Sequence, residues 1–218
     1  MEPVVPSSPA TTPAPTLPAA PFAESSPLGL LGLAVGCAAL LPVAFGQAVT
    51  PDAFRTAAMF CLLFGGGCQL IAGLMALANK NLLGGTLFTT FAFNWAMNYW
   101  SLSSIADGKL PNSHIVFSVD VCFILIFTVL MFAFGYFSKL LFAFLLDIVL
   151  LFAFRIANDL MHTRMFAMPI ALCTVALAGI ALWLALAILV NSAAGRVVLP
   201  IPGPLFKAGP GAPPPVHG

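Results

Sequence analysis

From residue 28 to residue 190 the chain is a succession of apolar runs, each about twenty residues long and separated by only a few polar positions. A run of that length matches the roughly 30 Å hydrocarbon core of a bilayer when it is helical. In lipid every backbone N–H and C=O must find its partner within the protein, so spanning segments are helices or closed barrels. A barrel strand alternates apolar and polar residues with period two; these runs do not, and helices are the expectation. Only 7% of the 218 residues are charged, against roughly 25% in soluble domains, and 61% are hydrophobic. Too little polar surface remains to face water.

The expected fold class is an all-α integral membrane protein, a bundle of six transmembrane helices. The spans run near 28–46, 54–78, 83–106, 115–137, 140–160 and 165–190. Pro27 suits the first turn of a helix. The short connections make sequential helices antiparallel neighbours. Residues 1–26, rich in Pro, Ala, Ser and Thr, read as a disordered N-terminal tail; 27–196 read as the membrane domain; 197–218, rich in Pro and Gly, read as a C-terminal tail. The opening MEPVVPSSPATTPAP has neither the basic region nor the apolar region of a secretory signal. One set of loops carries Lys80, Lys139, Arg196 and Lys207, the other Arg55, Lys109 and Arg164. This small cation excess puts both termini in the cytoplasm.

Several function classes are disfavoured. The net charge of +1 gives no electrostatic footprint for nucleic acid. The five cysteines are scattered through apolar runs with no CxxC pair, as small buried side chains would be. There is no HExxH, no GxSxG, no phosphate loop and no His/Cys cluster. Neither an enzyme, a metal site nor a cofactor is therefore expected.

Polar residues inside the spans carry the functional signal. Leu87, Phe91, Asn94 and Asn98 share one face of the third helix, with Thr90 beside them. An Asn facing lipid would leave its amide unsatisfied, so this face looks either into a water-filled path or at hydrogen-bonding helices. Gln69, mid-span on the second helix, has the same two readings, interhelical hydrogen bonding or contact with a substrate. Gly29, Gly32 and Gly36 on the first helix, and Gly66 and Gly73 on the second, are either close-packing positions or the smooth wall of a narrow pore. On the fifth helix Asp147 and Arg155 each cost about 2.5–3.5 kcal/mol at mid-membrane. They lie about 12 Å apart along the axis, too far for a simple pair. Arg155 is within reach of Asp159 one turn on. Asp147 has no local partner; it is the candidate proton-coupling or pathway charge, or it pairs with a cation from another helix. Asp120, near the start of the fourth helix, suits the positive end of the helix dipole. Tyr99 and Trp100 suit the membrane interface.

Five stretches in order resemble one family. PLGLLGL at 27–33, GGGCQLIAGL at 65–74, FTTFAFNW at 88–95, FTVLMF at 127–132 and GRVVLPI at 195–201 are similar to successive motifs of the succinate–acetate permease (acetate uptake transporter) family. The resemblance implies six helices per subunit, a homohexamer, and a path for a small carboxylate through each subunit. The family's narrow point is formed by Phe, Tyr and Leu. By motif these fall on Leu33, on Phe91, and on Asp147 or Ile148, so the resemblance implies an apolar constriction without the phenolic hydroxyl. The chain departs from the family pattern at Glu24, Ser25 and Ser26, at the LLPVAFG end of the first helix, and at the charges Asp147 and Arg155.

Three functions follow as expectations. The leading one is a channel or proton-coupled transporter for acetate or another short-chain monocarboxylate, embedded in the lipid bilayer of the plasma or inner membrane. In it Gln69, Thr90, Asn94 and Asn98 line the path, Leu33, Phe91 and Ile148 form the gate, and Asp147 accepts the coupling proton. The second is a diverged member serving as a structural or interaction subunit. The third is a pore for a neutral small solute.

Overall fold

The structure, a computed structural model, describes residues 20–207. All regular structure among them is helical. We number the helices α1 (Ser26–Ala44), α2 (Pro51–Ala78), α3 (Leu82–Ala106), α4 (Ser113–Gly135), α5 (Lys139–Leu160) and α6 (Ala167–Ala194). Of these, α1, α2, α4, α5 and α6 are long and apolar enough to cross a membrane. The 25-residue α3 is long enough, but it carries the Thr, Asn and Ser side chains that drew attention in the sequence.

Local chemistry sets the helix ends. Thr50, Asn81, Asn112 and Ser138 each accept a hydrogen bond from a backbone N–H of the first turn that follows, satisfying one of the donors a helix start leaves free. Pro27 sits in the first turn of α1, where its missing N–H costs nothing. Gly195 ends α6 at φ 62°, a left-handed conformation that glycine adopts without a Cβ clash. Between Cys61 and Cys68, around Gly65–Gly67, α2 widens into π-helix, a form that recurs at functional positions.

The helices close a ring. Each packs on the next in sequence, and α6 returns to pack on α1; the α3–α4 seam is the loosest. The ring leaves its centre to side chains. Leu33, Phe91, Phe127, Leu145, Ile148 and Phe152 fill it as one apolar cluster. Phe91 meets Phe127 edge to face at 5.2 Å, and Phe127 stacks on Phe152 at 5.8 Å. The outward surface is apolar as well: Leu125, Val129, Leu146 and Leu172 are exposed. A bundle with an apolar outside and an apolar centre is what the near-absence of charge required.

The glycines serve packing. A Cβ on Gly32 would lie 2.4 Å from Cys68 Cβ and from the Phe64 carbonyl oxygen, and one on Gly65 would lie 2.3 Å from the indole of Trp95. Small residues let α1, α2 and α3 approach to backbone contact, a main source of helix association in lipid. Of the two readings open for Gly29, Gly32, Gly36 and Gly73, close packing is the one seen, since a Cβ at each would meet a neighbouring helix at 3.0 Å or less.

Two expectations change. Residues 20–25 and 197–207, assigned to tails, lie against the bundle. Ser25 is buried and its Oγ donates to the Ala72 carbonyl at 2.9 Å, while Asn79 brackets the backbone of Phe22. At the other terminus Asn191 holds Val198 and Leu199, Gly135 O accepts from Leu205 and Phe206, and the Phe206 ring packs against Phe142. Side-chain amides and one aromatic ring anchor segments whose composition reads as tail. The rest of both assigned tails, 1–19 and 208–218, lies outside the described residues. Arg155, expected to reach Asp159 on its own helix, instead pairs with Asp120 of α4, Nε to Oδ2 at 3.2 Å. The inter-helix partner keeps both charges inside the protein, where the sequence pattern along one helix could not place it.

Candidate functional site

Two cavities lie inside the ring, one toward each end. The first, about 210 Å³, lies toward the termini; Ser26 and Leu30 of α1, Leu87 and Phe88 of α3 and Phe144 of α5 are on its wall. The second, about 250 Å³, lies toward the opposite end, walled by Cys37 of α1, Asn94, Trp95 and Asn98 of α3, Arg155 of α5 and Thr174 of α6. Along α1 the two walls are seven residues apart, roughly 10 Å of helix. Leu33, Phe91 and Ile148 occupy that interval, exposed by only 1%, 5% and 1%. Each cavity has room for several waters, at about 30 Å³ apiece. Two cavities thus lie on either side of an apolar layer, the plug, that holds Leu33, Phe91 and Ile148.

A third cavity, about 450 Å³, lies outside the second. Arg155 and Ile170 stand on the walls of both. Asp120, Asn158, Asp159, Ser101 and Ser113 give the outer chamber a polar lining.

The residues singled out in the sequence divide between these places. Asn94, 6% exposed, and Asn98 are on the wall of the second cavity. The turn of α3 above them carries Phe91 at the plug. Of the two α5 positions, Ile148 is buried in the central apolar cluster. Phe127 completes it, and sequence reasoning missed that residue, because nothing in an evenly apolar α4 marks one Phe among several. Gln69 and Thr90 do not line the two inner cavities. Gln69 is fully buried on α2, between Gly66, which abuts the Ala92 carbonyl, and Gly73, which abuts Thr89. That position puts it beside the Phe91 turn of α3.

Among the described residues three buried side-chain polar atoms lack a hydrogen-bond partner: Gln69 Oε1, Trp95 Nε1 and Asp147 Oδ2. Buried polar atoms are nearly always paired, so each exception calls for an account. Trp95 is itself on the wall of the second cavity, with its ring wedged against Gly65 and Gly36. Its indole N–H is a donor only. Asp147 faces the thiol of Cys173 on α6. The second cavity thus gathers the amides of Asn94 and Asn98, the indole of Trp95, the Thr174 hydroxyl and the Arg155 guanidinium. Thr174 donates to Ile170 O at 2.9 Å, which leaves its oxygen as an acceptor. Such a set, rich in N–H donors, suits a small anion. The five cysteines are free, and among the described residues no cluster of three or more His, Cys, Asp or Glu side chains is placed to hold a metal ion.

No protein-family model matches the chain, and no curated protein does. Among solved structures, the bacterial acetate channel SatP has the same fold, with a TM-score of 0.75 over 83% of this chain and 99% of that one, at 21% sequence identity. With its five apolar helices of spanning length, the protein is a multi-pass membrane protein.

Proposed function

We propose that this chain is a member of the succinate–acetate permease family and conducts acetate or another short-chain monocarboxylate through the centre of its helix ring. The observation that supports the reading is a pair of cavities toward opposite ends of the bundle, with the apolar cluster that holds Leu33, Phe91 and Ile148 between their walls. The motif resemblance from residue 27 to residue 201 and the shared fold with an acetate channel support it.

In this account α3 is the sixth span, its polar face turned inward. Asn94 and Asn98 offer donors that replace part of the carboxylate's hydration in the second chamber. Thr90 and Gln69 act at the level of the plug, where Gln69 keeps an unpaired carbonyl oxygen. Apolar walls penalise a bare anion, so passage is coupled to a proton, with Asp147 as the residue that takes it. The protein acts as a transporter or channel and not as an enzyme. It assembles as a homohexamer in the plasma or inner membrane with both termini cytoplasmic.

A second reading is favoured by the plug itself. Its three side chains, Leu33, Phe91 and Ile148, are apolar, which suits a neutral small solute as well as a carboxylate passing as its acid. Uptake of labelled acetate by liposomes containing the purified protein, with propionate, urea and ammonia as competitors, tests both. Competition by propionate alone supports the carboxylate path. Competition by urea or ammonia moves the assignment to the neutral solute, and a rate equal to that of empty liposomes rejects both.

A further inference from the structure

A charged pair spans α4 and α5 at the boundary between the second chamber and the outer one. Arg155 Nε lies 3.2 Å from Asp120 Oδ2; the Arg side chain is 30% exposed and the Asp side chain 5%. The guanidinium carbon also sits 5.3 Å from the centre of the Phe152 ring, which holds it over the floor of the second chamber. Arg155 is on the wall of both chambers; Asp120 is on the wall of the outer one alone. A guanidinium has five N–H donors, and a carboxylate accepts from two of them at most in a fork, so donors remain for a second anion. On the inner side of Arg155, the nearly buried Trp95 shares the wall of the second chamber with Asn98 and Asn94. Amide donors and a cation on one chamber wall suit an anion, and Asp120 is the protein's own carboxylate on the far side of that cation.

We infer that Arg155 is the recognition residue for the carboxylate entering the second chamber, and that Asp120 competes with that carboxylate for it. This rests on the carboxylate reading of the path. Asp120 keeps the guanidinium neutralised and in place between passages. An arriving carboxylate exchanges with it, gaining Arg155 and the Asn98 amide together. Removing the competitor tightens the site, and removing the cation empties it. The device sets affinity and preference for anions over neutral solutes; it does not open the plug.

The test is the concentration dependence of labelled acetate uptake by liposomes carrying wild type, Asp120→Asn, Arg155→Gln or the double variant. Asn keeps a hydrogen-bonding side chain opposite Arg155, and the double variant removes both charges at once, so a folded variant is at hand even if one single change misfolds. Asp120→Asn lowers the half-saturating acetate concentration by about tenfold, Arg155→Gln raises it by a similar factor, and the double variant follows Arg155→Gln. Maximal rates stay near that of wild type, a split that a merely structural role would not produce. Half-saturation unchanged in the variants, with wild type transporting, overturns this inference and leaves the path reading intact. If wild type shows no uptake, the transport reading fails instead. Saturation-transfer NMR of the acetate methyl on protein in micelles then decides the site: signal lost on Arg155→Gln supports it, and equal signal in every variant overturns it.

Discussion

The ring of Phe127 meets that of Phe91 edge to face at 5.2 Å, and this pair, from two helices that otherwise scarcely touch, helps close the centre of the bundle. The α3–α4 seam is held at that level by rings and not by backbone approach. Replacing Phe91 with Ala removes one wall of the plug and joins the two chambers. The expected outcome is a severalfold faster acetate uptake, with larger monocarboxylates admitted. In a well-packed core such a truncation costs about 3–5 kcal/mol, so the melting temperature of the purified protein falls as well. Initial rates across a size series of monocarboxylates check it; a rate no higher than that of wild type, in folded protein, places the barrier elsewhere.

The second chamber depends on Asn94 and Asn98 for its neutral donors. A hydrogen bond to a charged group is worth about 1.5–3 kcal/mol, so replacing Asn98 with Leu weakens acetate binding by roughly tenfold to a hundredfold. Asn94→Leu has a similar effect. Uptake at low acetate concentration falls accordingly. Gln69→Leu, in contrast, removes an unpaired carbonyl oxygen at the α2–α3 contact; it lowers uptake only if that oxygen meets the passing acid, and higher thermal stability with unchanged uptake would reassign Gln69 to packing.

Asp147 has an unpaired, buried Oδ2 and lies next to the plug residue Ile148 along α5. An inward proton gradient is expected to speed acetate uptake by wild type. Asp147→Asn keeps the shape and removes the proton acceptor, so uptake at equal pH on both sides persists while the response to the gradient is lost. Rates measured with and without an imposed gradient check this. A full response in the variant rules Asp147 out as the coupling group.

Glycine positions discriminate packing from space. At Gly65 a Cβ would lie 2.3 Å from the Trp95 ring, whereas at Gly179 it would meet nothing within 4 Å. Gly65→Ala is expected to destabilise the protein by about 1–3 kcal/mol through overpacking and to shift Trp95 out of the second chamber wall. Gly179→Ala, in mid-helix, is neutral or stabilising by up to about 1 kcal/mol. Thermal denaturation in detergent compares the two; equal midpoints would show that Trp95 yields without cost.

The membrane class and the helices were legible in the sequence because both follow from one-dimensional properties, run length and charge content. So were the polar face of α3 and the apolar identity of Leu33, Phe91 and Ile148, since helical spacing and motif order carry them. Partners across helices were not. Arg155 has Asp159 at the right spacing on its own helix, and only the packing of α4 on α5 brings Asp120 to it. Phe127 was hidden for a related reason: Phe123 and Phe132 flank it on the same apolar helix, and the ring closure alone selects the one that faces Phe91. The short segments at 20–25 and 197–207 read as tail by composition. Contacts across the fold hold them, among them the Ser25 hydroxyl on Ala72 O, the Asn191 side chain on Val198 and Leu199, and the Phe206 ring against Phe142.

The central claim, that the ring encloses a path for a small carboxylate, is tested most directly by the initial rate of labelled acetate uptake into sealed liposomes carrying the purified wild-type protein, against protein-free liposomes of the same lipid. The account predicts saturable uptake well above the protein-free rate, with propionate competing. A rate equal to that of protein-free liposomes, from correctly folded and inserted protein, would contradict it.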